Sequence, residues 1–283
     1  MLGLMTQVTT RDVTVNGVRS LVRTSGDDQA REAVVFVHGN PGSSEDFAAL
    51  LPAVGEFARA VAADLPGYGK AARPADFDYT VQGYARHLDG VLAQLGVEKV
   101  HLGLHDFGGP FGLQWAANNP ERVKSFVLFN MGAMPGYRWH KFARVWRTPV
   151  LGELFQMTAT RGVFKRVLQA ENPRPFPPGF LDRMYDDSDR AMRRAVLKLY
   201  RATDIGSLSA GLADQLKARR YPALVVWGEG DRYTPVRYAA VQKDYFDAET
   251  HVLPRCGHWP MIDEPELVRD LVVKFLRARL ATN

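Results

Sequence analysis

Val100-His101-Leu102-Gly103-Leu104-His105-Asp106-Phe107-Gly108-Gly109-Pro110-Phe111-Gly112 is the stretch on which the reading of this chain turns. An apolar run of strand formers stops at Asp106, glycines follow at once, and a helical spacing then begins with Phe111, Leu113, Ala116 and Ala117. The pattern predicts a strand, a sharp turn and a helix, with one reactive side chain at the turn. Gly108, two residues after Asp106, is small, as a tight turn requires; Leu104, two before it, is not. A carboxylate in that place narrows the chemistry. Attack on an ester carbonyl would give an anhydride, a poor intermediate, whereas displacement at a saturated carbon leaves an alkyl ester on the enzyme. Epoxides and alkyl halides are the electrophiles that fit. The plainer use of such an aspartate is to cap the following helix.

Outward from this stretch the chain alternates strands and helices. Arg11–Val15 and Val18–Val22, joined by Asn16-Gly17, carry a hairpin signal. Buried-type strands are expected at Ala33–Val37, ending in His38-Gly39-Asn40-Pro41-Gly42, and at Ala58–Ala63, ending in Asp64-Leu65-Pro66-Gly67-Tyr68-Gly69. A helix over about 79–95, the strand before Asp106 and a strand at Val123–Asn130 follow, which indicates a mainly parallel sheet covered on both faces. From 132 to 215 the alternation stops and several helices are separated by Pro- and Gly-containing breaks. Strands resume at Ala223–Gly228 and Thr250–Leu253. A last helix is expected to start with a capping box, Asp263 to Glu266, and to bury Leu267, Leu271, Val272, Phe275 and Leu276.

The chain has 283 residues, 46% hydrophobic and 24% charged, enough for one large α/β domain or a domain with an insertion. No repeat or low-complexity tract is present. Met1–Gln7 carries no basic region and too short an apolar run for a signal peptide, and no stretch approaches the roughly 18 apolar residues of a membrane span. No membrane partner and a cytoplasmic location are therefore expected. The single cysteine, Cys256, excludes an internal disulfide framework and a cysteine-based zinc site. The net charge of +5 is uneven: residues 132–215 hold 14 Lys+Arg against 8 Asp+Glu, leaving 22 against 23 elsewhere. A solvated helix face is the plain reading, attraction of anionic substrates the alternative. No basic stripe interleaves with aromatics, so no nucleic-acid partner is expected. The oligomeric state is not fixed by the sequence; a homodimer is one arrangement open to it.

Two further stretches join Asp106. Trp227-Gly228-Glu229-Gly230-Asp231 places a carboxylate beyond one strand, and Pro254-Arg255-Cys256-Gly257-His258-Trp259 places a histidine beyond the next. With His38-Gly39-Asn40-Pro41 and Asp64-Leu65-Pro66-Gly67-Tyr68-Gly69, the chain resembles the epoxide hydrolase and haloalkane dehalogenase branch of the α/β-hydrolase superfamily over nearly its whole length. Asp106, Asp231 and His258 stand in the nucleophile, acid, histidine order of that fold. The resemblance implies an α/β-hydrolase fold with a mainly parallel eight-stranded sheet flanked by helices. It places the core at 1–131 and 216–283 and an inserted helical lid at 132–215. It implies an oxyanion hole from the backbone N–H groups of Asn40 and Phe107, which acts when water activated by His258, oriented by Asp231, attacks the enzyme's own ester. No metal or organic cofactor is required.

The two activities of the branch differ in what receives the leaving group. Members that release halide use N–H donors; Asn40 matches one of them, Phe107 cannot donate, and Trp139 or Trp146 from the lid are candidates for the other. Members that open epoxides use two lid hydroxyls, with a histidine in place of the first in some. Leu199-Tyr200-Arg201-Ala202 matches the second position, and Trp139-His140-Lys141-Phe142 resembles the histidine-using form of the first, with Tyr137 as the alternative. The expected activity is therefore opening of a small hydrophobic epoxide to a vicinal diol. The catalytic residues would be Asp106, Asp231, His258, Tyr200 and His140, and the substrate-contacting ones Phe107, Pro41, Trp146 and Tyr137. Haloalkane hydrolysis is the first alternative and a non-catalytic ligand receptor on the same fold the second. Phe142, Trp146 and Phe155 give the lid an apolar character suited to a hydrophobic substrate.

Overall fold

The computed structural model describes residues 7–281. Most of the stretch read for a signal peptide, Met1 to Thr6, lies outside them. Eight strands make one sheet: β1 (Thr9–Val15), β2 (Val18–Ser25), β3 (Glu32–Val37), β4 (Arg59–Ala63), β5 (Lys99–His105), β6 (Val123–Phe129), β7 (Pro222–Gly228) and β8 (Asp247–Leu253). Their spatial order is β1-β2-β4-β3-β5-β6-β7-β8. β2 pairs antiparallel with β1 and β4, and every other pairing is parallel. The hairpin forms as its sequence predicts: Val15 faces Val18, and Asn16 and Gly17 both adopt positive φ, the backbone of a two-residue turn that follows strand twist.

The sheet is sandwiched because its parallel strands are apolar on both sides. Val100, Leu102 and Leu104 of β5 face one buried cluster with Val91, Leu92 and Trp115. The opposite face carries Val34 and Phe36 of β3 and Leu224 and Val226 of β7, packed against Val268, Val272 and Phe275 of the last helix, Pro265–Leu280. Gly103 is a glycine for a packing reason: a Cβ there would lie 2.4 Å from the ring of Phe36.

Three expectations change in detail. β8 begins at Asp247, three residues before the expected start, because it is an edge strand whose half-exposed, alternating residues give little apolar signal. The last helix has no side-chain cap: Asp263 ends a preceding turn, Pro260–Asp263, and its carboxylate accepts the Gly257 N–H (2.7 Å) and Asn172 Nδ2 (2.9 Å) instead. Its buried face runs through Val268 while Leu267 is exposed, since with the helix starting at Pro265 it is Val268 that falls on the stripe with Val272 and Phe275.

Between β6 and β7 lie helices Lys141–Arg147, Leu151–Thr158, Arg161–Glu171, Phe180–Asp187, Arg190–Ala202 and Ile205–Lys217. The last of these packs against Gly108–Asn118 and delivers Leu212, Ala213 and Leu216 to the cluster on the sheet's face. The chain reverses its direction of travel across the sheet beside β3, whose neighbours β4 and β5 lie on opposite sides of it. In such a sheet the loops beyond the carboxyl ends of the strands frame a crevice.

Candidate active site

Five loops at those carboxyl ends converge. Asn40 follows β3, Asp106 follows β5, Asn130 follows β6, Asp231 follows β7 and His258 follows β8. Asp106 has φ 50, a left-handed conformation that costs a non-glycine residue about 1–2 kcal/mol and marks a turn held by its surroundings. Close packing beneath the turn explains its sequence. A Cβ on Gly108 would sit 2.0 Å from the Val37 carbonyl oxygen. One on Gly112 would sit 2.2 Å from Leu104 Cδ2, so Gly112 makes the room that Leu104, large where a small residue is usual, takes up. Asp106 does not cap the helix Gly108–Asn118, which has no side-chain cap.

The carboxylate of Asp106 instead faces the other loops. Its Oδ1 accepts the Asn40 N–H at 2.6 Å and its Oδ2 lies 3.3 Å from His258 Nε2. His258 Nδ1 lies 2.7 Å from Asp231 Oδ2. Asp231 is fixed in turn: Oδ1 accepts the N–H groups of Tyr233 (2.7 Å) and Thr234 (3.0 Å), and Oδ2 accepts Thr234 Oγ1 and Asn130 Nδ2. The first two bonds are the aspartate's local turn chemistry. Burial alone would drive charge off the His258 ring, but two carboxylates outweigh it and raise its pKa. Burial also opposes charge on Asp106 and Asp231, yet bonding to His258 holds both below the usual carboxylate range. The resting site is an imidazolium between two carboxylates.

A cavity of about 180 Å³ opens over Asp106 and His258, lined by Asn40, Pro41, His140, Trp146 and Tyr200 among mainly apolar neighbours. Tyr200 is buried, and its hydroxyl accepts Asn40 Nδ2 at 3.3 Å, leaving its own proton to donate. Burial raises its pKa, so the phenol is neutral. His140 Nδ1 accepts the Ala143 N–H (3.3 Å), capping Lys141–Arg147 and leaving the ring proton on Nε2. Burial pushes its pKa down to about 4, so this ring is neutral too. Phe107, Tyr137 and Trp139 lie elsewhere, around a smaller chamber of about 20 Å³ on another side of Asp106. The Tyr137 hydroxyl is engaged, donating to the Tyr233 carbonyl at 2.8 Å.

Four residues at the site were not singled out by sequence. Asn130 (φ 50) also takes the Gly228 N–H on Oδ1 at 2.9 Å, and its only trace is an asparagine where a strand ends. Gly39 lets the loop close: a Cβ there would lie 2.2 Å from Asp106 Oδ1 and 2.4 Å from the Phe107 nitrogen. His105 Nε2 donates to the His258 carbonyl at 2.7 Å, positioning the histidine's own backbone. Tyr233 lines the cavity, its ring edge-on to His258 at 4.9 Å.

Residues 32–265 match the model of the alpha/beta hydrolase fold family. The chain belongs to that family. Within it the chain is 30% identical to a haloalkane dehalogenase of Mesorhizobium japonicum over 215 residues, 69% of this chain and 68% of that protein. It is 27% identical over 271 residues to a 2-hydroxymuconate semialdehyde hydrolase of Pseudomonas sp., covering 94% and 93%. Among solved structures, the epoxide hydrolase CorEH superposes with a TM-score of 0.80 at 21% identity, covering 96% of this chain and 99% of that one. This alpha/beta hydrolase thus sits in the epoxide hydrolase and haloalkane dehalogenase branch, and hydrolysis is its chemistry.

Proposed function

We propose that the protein opens hydrophobic epoxides to vicinal diols through an alkyl ester on Asp106. The observation that carries the reading is the arrangement of two neutral proton donors, Tyr200 and His140, lining one apolar cavity with the Asp106 carboxylate. Asp106 attacks an epoxide carbon, the C–O bond breaks, and the ring oxygen leaves as an alkoxide under Tyr200 and His140. Ester formation erases the charge on Asp106, so His258 keeps only Asp231 as a counter-charge and releases its proton. That proton balances the one taken up by the alkoxide. The neutral imidazole then removes a proton from water, which attacks the ester carbonyl. The developing oxyanion meets the Asn40 N–H already bonded to Asp106 Oδ1, and collapse returns the carboxylate, the imidazolium and the diol.

Haloalkane hydrolysis is the second reading. It is favoured by the indole N–H groups of Trp139 and Trp146, both buried without an acceptor, which are donors of the kind a departing halide needs. Measuring diol from styrene oxide beside bromide from a bromoalkane separates the two, and halide release with no diol would reverse the preference. Intact mass of His258→Gln after exposure to styrene oxide tests the ester itself. A substrate-sized adduct is expected on this variant and none on Asp106→Asn; binding of either substrate class with neither adduct nor turnover would leave the receptor reading.

A further inference from the structure

Among the described residues, seven large apolar side chains are exposed, and five of them lie together in sequence: Val150 (69% exposed), Leu151, Leu154 (53%), Met157 (77%) and Val163 (46%). Leu151, Leu154 and Met157 are spaced three apart on the helix Leu151–Thr158 and form one outward stripe. Val150, which precedes them, is β-branched at φ 69, a strained conformation held at an exposed turn. The same helix turns Phe155 and Gln156 into the cavity, and Val163 belongs to both the exposed patch and the cavity wall. The apolar surface thus adjoins the cavity wall.

The stretch of chain that carries it is cationic. Residues 138–174 contain eight Lys+Arg and two Asp+Glu, which accounts for the basic excess of the whole inserted segment. The two acids are spoken for, Glu153 by Arg201 and Glu171 by Lys141, and Arg161 and Lys165 pair with Asp182 and Asp186. Arg144 and Arg166, on the helices before and after the stripe, are exposed and make no ion pair among the described residues. A solvated basic face needs no hydrocarbon beside it, and exposed hydrocarbon flanked in the chain by free arginines is the pattern of a segment that lies in a lipid interface.

We propose that this face docks the protein on an anionic lipid surface, with the apolar stripe among the acyl chains, the arginines against the headgroups and the cavity mouth turned toward the hydrocarbon. A second copy of the chain fits less well, because a two-fold contact through the same patch would bring Arg144 and Arg166 of both copies together. The expectation of no membrane partner rested on the lack of a spanning run. No described helix is long and apolar enough to cross a membrane, and peripheral docking requires none.

Flotation of the full chain with phosphatidylcholine vesicles, with and without about 30% phosphatidylglycerol, tests this. The bound fraction should rise about tenfold or more with the anionic lipid at about 0.1 M salt and collapse at about 0.5 M. Leu154→Glu/Met157→Glu should abolish binding while circular dichroism and the unfolding midpoint stay at wild-type values, and Arg144→Glu/Arg166→Glu should remove the preference for anionic lipid. Equal or absent binding to both vesicles, or undiminished binding by the glutamate variants, would overturn the proposal. So would a wild-type dimer in solution that Leu154→Glu/Met157→Glu dissolves, since the face would then belong to a second copy.

Discussion

Replacing Asp106 by asparagine should do more than remove a nucleophile: it should change the charge of His258. The two residues are 3.3 Å apart, and the imidazole's other carboxylate, Asp231, is 2.7 Å away on the opposite nitrogen. At an effective dielectric of about 20, two unit charges at the first distance attract by about 5 kcal/mol. Losing that attraction lowers the ring's affinity for its proton by nearly four orders of magnitude, about 3.7 pKa units. The asparagine is also a neutral, similarly shaped stand-in for the ester, so the variant mimics the state in which His258 has to act as a base. The assay is a pH titration of isotopically labelled imidazole nitrogens by long-range proton–nitrogen correlation, with His258→Gln to assign the signal. The wild-type ring should stay doubly protonated at about pH 8 and the variant ring should be singly protonated there. A variant ring that still carries both protons at that pH would mean that Asp106 does not hold the proton in the resting site. The release of a proton on ester formation would then lose its physical cause.

Gly39→Ala should cost about a hundredfold or more in kcat with the fold retained by circular dichroism. Its Cβ would meet Asp106 Oδ1 at 2.2 Å and the Phe107 nitrogen at 2.4 Å, displacing the carboxylate from the Asn40 N–H that it accepts; activity within threefold or so of wild type would refute that placement. Asn130→Ala removes one donor to Asp231 and the acceptor of the Gly228 N–H, so kcat should fall about tenfold and thermal unfolding should come earlier, and an unchanged kcat would show that Asp231 needs no such support. Stability should fall on acidification from pH 7 to 5. Burial pushes His87, His105 and His140 down to about 4, so the unfolded chain binds protons that the folded chain refuses between roughly pH 6.5 and 4. The loss is about 2 kcal/mol per histidine at pH 5. His258, raised instead, keeps its full stabilising contribution below about pH 6.5 and loses it only in alkali, so it does not cancel the effect. A urea midpoint that is the same at both pH values would contradict the burial of these rings as neutral groups.

By itself the sequence determined the elements whose signal is local. The Asn16-Gly17 hairpin, the apolar strands and the turn at Asp106 were legible because periodicity of two, glycine at tight turns and a polar residue ending an apolar run are written in consecutive residues, while the order Asp106, Asp231, His258 took its meaning from the resemblance to a known fold. The tertiary structure alone decided what depends on residues far apart in the chain. Leu104 is tolerated because Gly112 of the next helix yields space, and Asp263 serves the His258 loop and Asn172 rather than its own helix. Asn130 becomes a support for Asp231 only once β6 lies beside β7. Tyr137 and Tyr200 look alike as lid tyrosines, but one hydroxyl is engaged by a backbone carbonyl and the other borders the cavity. A hydrogen-bond partner or a filled gap is a property of two surfaces brought together, and a single strand of letters states only one of them.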